Sequence, residues 1–207
     1  MLLTDKKPLN AHFAFKGFSF IVDMSFNNIL TILEVLNDKD LNNLDKAKLT
    51  MYLITGDEQF EDDDWFTEES NVEFVEEFIT TFFDEMVNVD NTEDYVPTDL
   101  LGNPLPVVEE DDEPEKSFDF SYDAGFIYAS FMQVYNMDLY EQHGKLHWEV
   151  FISLFNSLPS DSMIMNVIDI RTREIPTGKG TEEQANSIRK AKAKYALPEH
   201  ILHTGGE

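Results

Sequence analysis

Five histidines, two acidic runs and one glycine–lysine turn are the features of this chain whose types and spacing could support chemistry. His143 and His147 are four residues apart. On an unbroken helix that spacing sets two imidazoles on one face, as tetrahedral zinc sites use. Gly144 interrupts the helix between them, and among 41 acidic residues a nearby carboxylate carries no information. The reading is therefore a capping or core-edge histidine beside Trp148, with no metal and no cofactor. Glu61-Asp-Asp-Asp is contiguous and lacks the alternating ligands and central glycine of a calcium loop, so it reads as a solvated loop. Gly178-Lys-Gly-Thr lacks the spacing and the preceding strand of a phosphate-binding loop. Nucleophilic catalysis needs a hydroxyl or thiol beside a positioned base. There is no cysteine, and no G-x-S-x-G elbow occurs. No catalytic residue is expected, and the chain reads as a protein that is not an enzyme.

The elements around these residues follow from periodicity. Phe13 and Phe15, then Lys16-Gly17, then Phe18, Phe20 and Val22 alternate about a turn, which predicts a β-hairpin lying against a helix. Phe26, Ile29, Leu30, Leu33 and Leu36 predict a helix capped by Asp23 or Ser25 and ended by Asn37-Asp38. A second helix over 44–54, with Leu44, Lys48, Met51 and Tyr52 on neighbouring turns, stops at Gly56. Val72, Val75, Phe78, Ile79, Phe82, Phe83 and Met86 form the apolar stripe of a third, capped by Ser70 or Asn71. The stretch at 90–115, with four prolines among acids, reads as an extended, mobile linker. Residues 122–135 are apolar almost all round and predict a central buried helix. Further helices follow at 146–158 and 163–172, the latter capped within Ser160-Asp-Ser. Trp148, Phe151 and Phe155 are spaced as core. Arg171 and Arg173 suit a helix C-terminus, where either can also pair with an internal acid. A thin-striped terminal helix runs from Thr181 to Tyr195, and the tail from Thr204 reads as disordered.

The fold class is mostly α: a helical domain with a small N-terminal β-hairpin and an acidic, partly disordered central linker. Residues 1–56 hold the hairpin and two helices. Residues 57–116 are an acidic segment with one amphipathic helix, 117–176 an aromatic helical core, and 177–207 a basic terminal helix and tail, all in one globular domain.

Charge narrows the partners. The chain of 207 residues carries a net charge of −26, and residues 57–115 hold 23 acids with no Lys or Arg. Such a field repels nucleic acid and anionic lipid and suits a basic protein partner. The N-terminus lacks a signal-peptide pattern, and no stretch approaches the roughly 18 apolar residues of a membrane span, so a cytoplasmic protein is expected. Arg189, Lys190, Lys192 and Lys194 are candidate partner-binding residues. Their helix has two readings, docking on the chain's own acidic surface or serving as a partner-binding arm.

The order and spacing of Phe118-Asp-Phe-Ser-Tyr-Asp-Ala-Gly-Phe-Ile-Tyr-Ala-Ser-Phe, Tyr135-Asn-Met-Asp-Leu, Leu146-His-Trp-Glu-Val-Phe, Leu158-Pro and Ile168-Asp-Ile-Arg-Thr-Arg resemble a known family. It is the "gene product fifteen" tail-assembly family of long-tailed phages of Gram-positive bacteria. The hairpin, Asp23-Met-Ser-Phe and the terminal helix resemble it more loosely. The resemblance marks Tyr122, Phe126, His147, Trp148, Phe151, Leu158 and Arg171 as its signature core. It implies a tail assembly chaperone that binds the tape measure protein and tail tube protein beside a companion tail assembly chaperone. Such a protein works in the host cytoplasm and is absent from the mature virion. The alternative from charge alone is an acidic DNA-mimic inhibitor of a host nuclease.

Overall fold

A computed structural model describes residues 8–61, 66, 69–88, 117–178 and 180–198. Strands β1 (Asn10–Phe15) and β2 (Phe18–Asp23) pair antiparallel, Phe13 opposite Phe20 and Phe15 opposite Phe18. The two-residue turn places Lys16 at φ 46° and Gly17 at φ 84°. That is the type I′ geometry whose twist matches a hairpin, and glycine takes the second position without strain. One face of the hairpin points inward with Phe13, Phe15 and Val22 buried. The expected helix against it is α3 (Glu69–Phe82), which continues as a π turn, Phe83–Val87. Their rings interlock edge-to-face, Phe13 with Phe78 at 5.1 Å, Phe15 with Phe74 at 5.1 Å and Phe20 with Phe78 at 4.9 Å. Such pairs add roughly 0.5–1.5 kcal/mol each beyond area burial.

Helix α1 (Phe26–Asn37) follows Ser25 at the N-cap position. The Ser25 hydroxyl makes no cap bond; instead the Asp23 carboxylate accepts from the Ser25 amide at 2.8 Å. Helix α2 (Asn43–Thr55) is capped by Asn42, which accepts from the Asp45 amide, and it ends at Gly56 in the left-handed conformation. Its buried face is Thr50, Met51 and Ile54, whereas Leu44 and Tyr52 of the expected face are exposed. Met51 of the expected face is buried; docking against α1 and β2 turned it inward with Thr50 and Ile54 in place of Leu44 and Tyr52. Helix α3 likewise begins ahead of both expected caps, which puts Ser70 and Asn71 inside it. Val72 is exposed, while Phe74 joins the packed face because its longer ring reaches Phe15.

Helices α4 (Ala124–Tyr135), α5 (Trp148–Asn156), α6 (Met163–Thr172) and α7 (Glu182–Tyr195) complete the described α-helices. α5 starts later than periodicity predicts. Ser25 and His147 form an antiparallel bridge, with the Trp148 amide donating to Met24 O at 2.8 Å and the Phe26 amide to Leu146 O at 2.9 Å. That bridge holds Leu146 and His147 extended, so the helix opens only at Trp148. α4 lies beside α6 and reaches α5 by side chains, through the Phe131–Phe151 stack at 5.3 Å and the Tyr135 hydroxyl bonded to Leu154 O. It is also one-sided. Ile127, Ser130 and Phe131 are buried, but Ala124, Gly125, Ala129 and Met132 face solvent, so the all-round burial expected of it does not hold. A single hydrophobic core runs from Phe13 in β1 to Ile164 in α6.

The start of α6 shows how the layers are tied. Ser162 occupies the expected cap position, yet its buried hydroxyl has no partner among the described residues. The Ile164 amide is satisfied instead by Ser130 Oγ of α4 at 3.0 Å, which itself donates to Phe126 O. Ser130→Ala is therefore expected to cost about 1–3 kcal/mol in urea unfolding, because a buried N–H loses its acceptor. Ser162→Ala removes no bond and is expected to be close to neutral; equal losses from both would contradict the assignment.

Candidate functional site

Arg171, in the last turn of α6, ties together three segments that are distant in sequence. Its Nη1 and Nη2 donate to Asp123 Oδ2 and Oδ1 at 2.6 and 2.8 Å, Nη1 to Ser117 O at 3.1 Å, and Nε to Tyr195 O at 2.6 Å. The two side chains are 8% and 0% exposed. The rigid guanidinium fork matches a carboxylate in two parallel bonds, and its remaining donors take carbonyls. One group thus fixes the entry to the aromatic half, the start of α4 and the end of α7. Asp123 also accepts from the Asp119 amide at 3.0 Å. Arg173, by contrast, makes among the described residues only an exposed pair with Asp169 one turn back.

The signature residues separate into groups. Trp148, Phe151, Leu158 and His147 are buried. Phe151 stacks between Phe26 at 5.0 Å and Phe131 at 5.3 Å, with Trp148 at 5.7 Å. The Trp148 indole donates to Val87 O at 3.0 Å, locking the end of the π turn onto α5. A shallow open groove passes this point between Asn88 and Phe118, yet Trp148 is only 4% exposed. Phe126 is half-buried against the ring of Tyr195. Tyr122 is a correction: it is 50% exposed, because α4 begins at Ala124 and Tyr122 belongs to the preceding turn, where its amide bonds Asp119.

His147 caps α5, its Nδ1 accepting from the Glu149 amide at 3.1 Å. His143 sits outside that helix, its ring against Phe26 and Tyr140. The two imidazoles therefore do not share a helix face. Among the described residues no group of three or more His, Asp or Glu is gathered as metal ligands, and no helix is long and apolar enough to cross a membrane. Asp62, Asp63, Asp64, Lys179, the linker at 90–115 and the tail from Thr204 lie outside the described residues.

The charged surfaces are separate. On α3, Glu73, Glu76 and Glu77 face solvent, with Lys16 of the hairpin turn paired to Glu77. α7 lies on α6, with Ala185 buried and Ile188, Ala191 and Tyr195 half-buried. Arg189, Lys190 and Lys194 point outward, Lys192 is half-buried, and none of the four forms an ion pair among the described residues. On the second turn of α4, the Tyr128 phenol lies near the Asp138 carboxylate beyond the helix end. Desolvation of the half-buried phenol, then the Asp138 charge, raise its pKa above the ordinary 10.0. Sequence reasoning assigned no role to Asp123 or Ser130. The faint signal was a polar residue in each case within an otherwise apolar run.

Fold and site together define a mostly α scaffold: a hairpin clasped by an aromatic helix, with the start of α4 and the end of α7 pinned to α6 by one buried arginine. The family model described as Bacteriophage Gp15 protein matches residues 4–197, and the chain belongs to that family. It is a phage protein. No curated protein and no solved structure matches it.

Proposed function

We propose that this phage protein is a tail assembly chaperone that acts by binding and not by catalysis. Its partners are the tape measure protein and tail tube subunits, held with a companion chaperone in the host cytoplasm and released before the virion matures. The observation that carries the reading is family membership across nearly the whole chain. The net charge of −26 supports it, since a strongly acidic surface favours a fast, reversible, salt-sensitive contact with a basic partner.

Co-expression of the tagged chain with the cognate tape measure, tube and companion proteins tests this. Retention of the tape measure protein at low salt, weakening as salt rises, is the expected result. Recovery of neither tape measure nor tube protein at low salt, with the companion present, would overturn it.

A further inference from the structure

The outer face of α4 is uncharged and exposed, and among the described residues nothing packs over Gly125 at its middle. From Ala124 to Met137 no residue is charged, in a chain that is 27% charged overall. Tyr122, Gly125, Ala129 and Met132 recur at intervals of three and four residues and are all exposed, Tyr122 at 50% and Met132 at 37%. Tyr140 extends the face: its ring lies 5.3 Å from Tyr128 and is 72% exposed.

Gly125 is the informative member. Its φ is not in the left-handed region, and a Cβ added there would meet nothing within 4 Å. Neither backbone geometry nor internal packing calls for glycine, the poorest helix former after proline. Small residues at Gly125 and Ala129 flatten the surface, which lets a second helix approach at the short end of the 8–10 Å interaxial range. Carboxylates border both ends. Glu34 is bonded to Ser121 Oγ at 2.8 Å beside Tyr122, and Asp138 and Glu141 flank Tyr140.

We propose that this face docks a helix of a partner protein that carries an apolar stripe edged by lysine or arginine. The stripe packs over Gly125 and Ala129, and a cation settles against the Tyr140 ring between the carboxylates, a site with both cation–π and ionic attraction. The acidic ends select the occupant. They repel a second copy of a chain with net charge −26, and they repel nucleic acid. The assignment rests on α4 and its borders, independently of which phage protein supplies the helix.

The test uses the full chain and a fluorescein-labelled synthetic helix of roughly 20 residues, long enough to hold helical structure, with leucine and alanine on one face and lysine on its edges. A scrambled peptide of equal charge is the control. Gly125→Leu is expected to weaken binding about tenfold by blocking close approach, equivalent to about 1.4 kcal/mol. Tyr140→Ala is expected to weaken it about two- to fivefold. Both substitutions leave net charge unchanged, so attraction to bulk acid does not respond to them. If Gly125→Leu fails to fold, Ala129→Gln reads the same surface. Equal affinity across wild type and variants, no preference over the scrambled peptide, or no binding at all would overturn the proposal. So would a wild-type dimer that Gly125→Leu dissolves, which would make the face a contact between copies.

Discussion

Arg171→Met should cost about 3–5 kcal/mol of unfolding free energy, the loss typical when one partner of a buried ion pair is removed. Methionine preserves most of the packing volume, so the effect isolates the charge. The Asp123 carboxylate is wholly buried and loses both guanidinium bonds, which leaves it the Asp119 amide among the described residues. The carbonyls of Ser117 and Tyr195 lose their donor as well. Adding Asp123→Asn to Arg171→Met should restore part of the loss, because the uncompensated charge is gone; a double-mutant cycle reads that coupling. Hydrogen exchange should show the end of α7 opening first, since Tyr195 O is its link to α6. A loss below about 1 kcal/mol, in the range of exposed pairs, would show that Arg171 is solvated and joins nothing.

The contrast between Arg171 and the rest shows what kind of information sequence carries. The hairpin was readable because period-2 phenylalanines flank a turn whose second residue is glycine. The presence of α1, α2 and α7 was readable because apolar residues recur at helical spacing up to stop signals at Asn37-Asp38, Gly56 and Leu197-Pro198. The aromatic group of Trp148, Phe151 and Phe155 followed from helical spacing alone. Most of the failures share a cause: a residue distant in sequence decides. α5 opens at Trp148 because Ser25 pairs with His147. The face of α2 was chosen by docking. Asp123 becomes a site only through a partner 48 residues away, and Ser130 only through an amide 34 away. Tyr122 looked like core because its neighbours are apolar, but periodicity does not say where a helix starts. For α7 the two readings of its basic residues rested on charge, whereas its thin apolar stripe is what seats it on α6. The recognition motifs lie within 118–173, the part of the chain where these long-range ties concentrate.

Phe151→Ala should be the most damaging single core truncation, at about 3–5 kcal/mol for lost transfer free energy plus the cavity left behind. The ring is 1% exposed and lies against Phe26, Phe120, Phe131, Trp148 and Phe155. Those neighbours come from α1, the segment before α4, α4 and α5, so no single element can relax to fill the space. A site that cannot collapse sits at the high end of the range. Each kcal/mol shifts Tm by about 2–4 °C for a domain of this size, so Tm should fall by roughly 10 °C or more. Phe18→Ala supplies the comparison at the hairpin tip, where the ring is 63% exposed and touches only Phe20 and Phe74 among described aromatics. It should cost under about 1 kcal/mol, as surface substitutions do. Calorimetry on both variants decides the matter: similar losses would mean that the aromatic half is loosely packed and that Phe151 is not its centre.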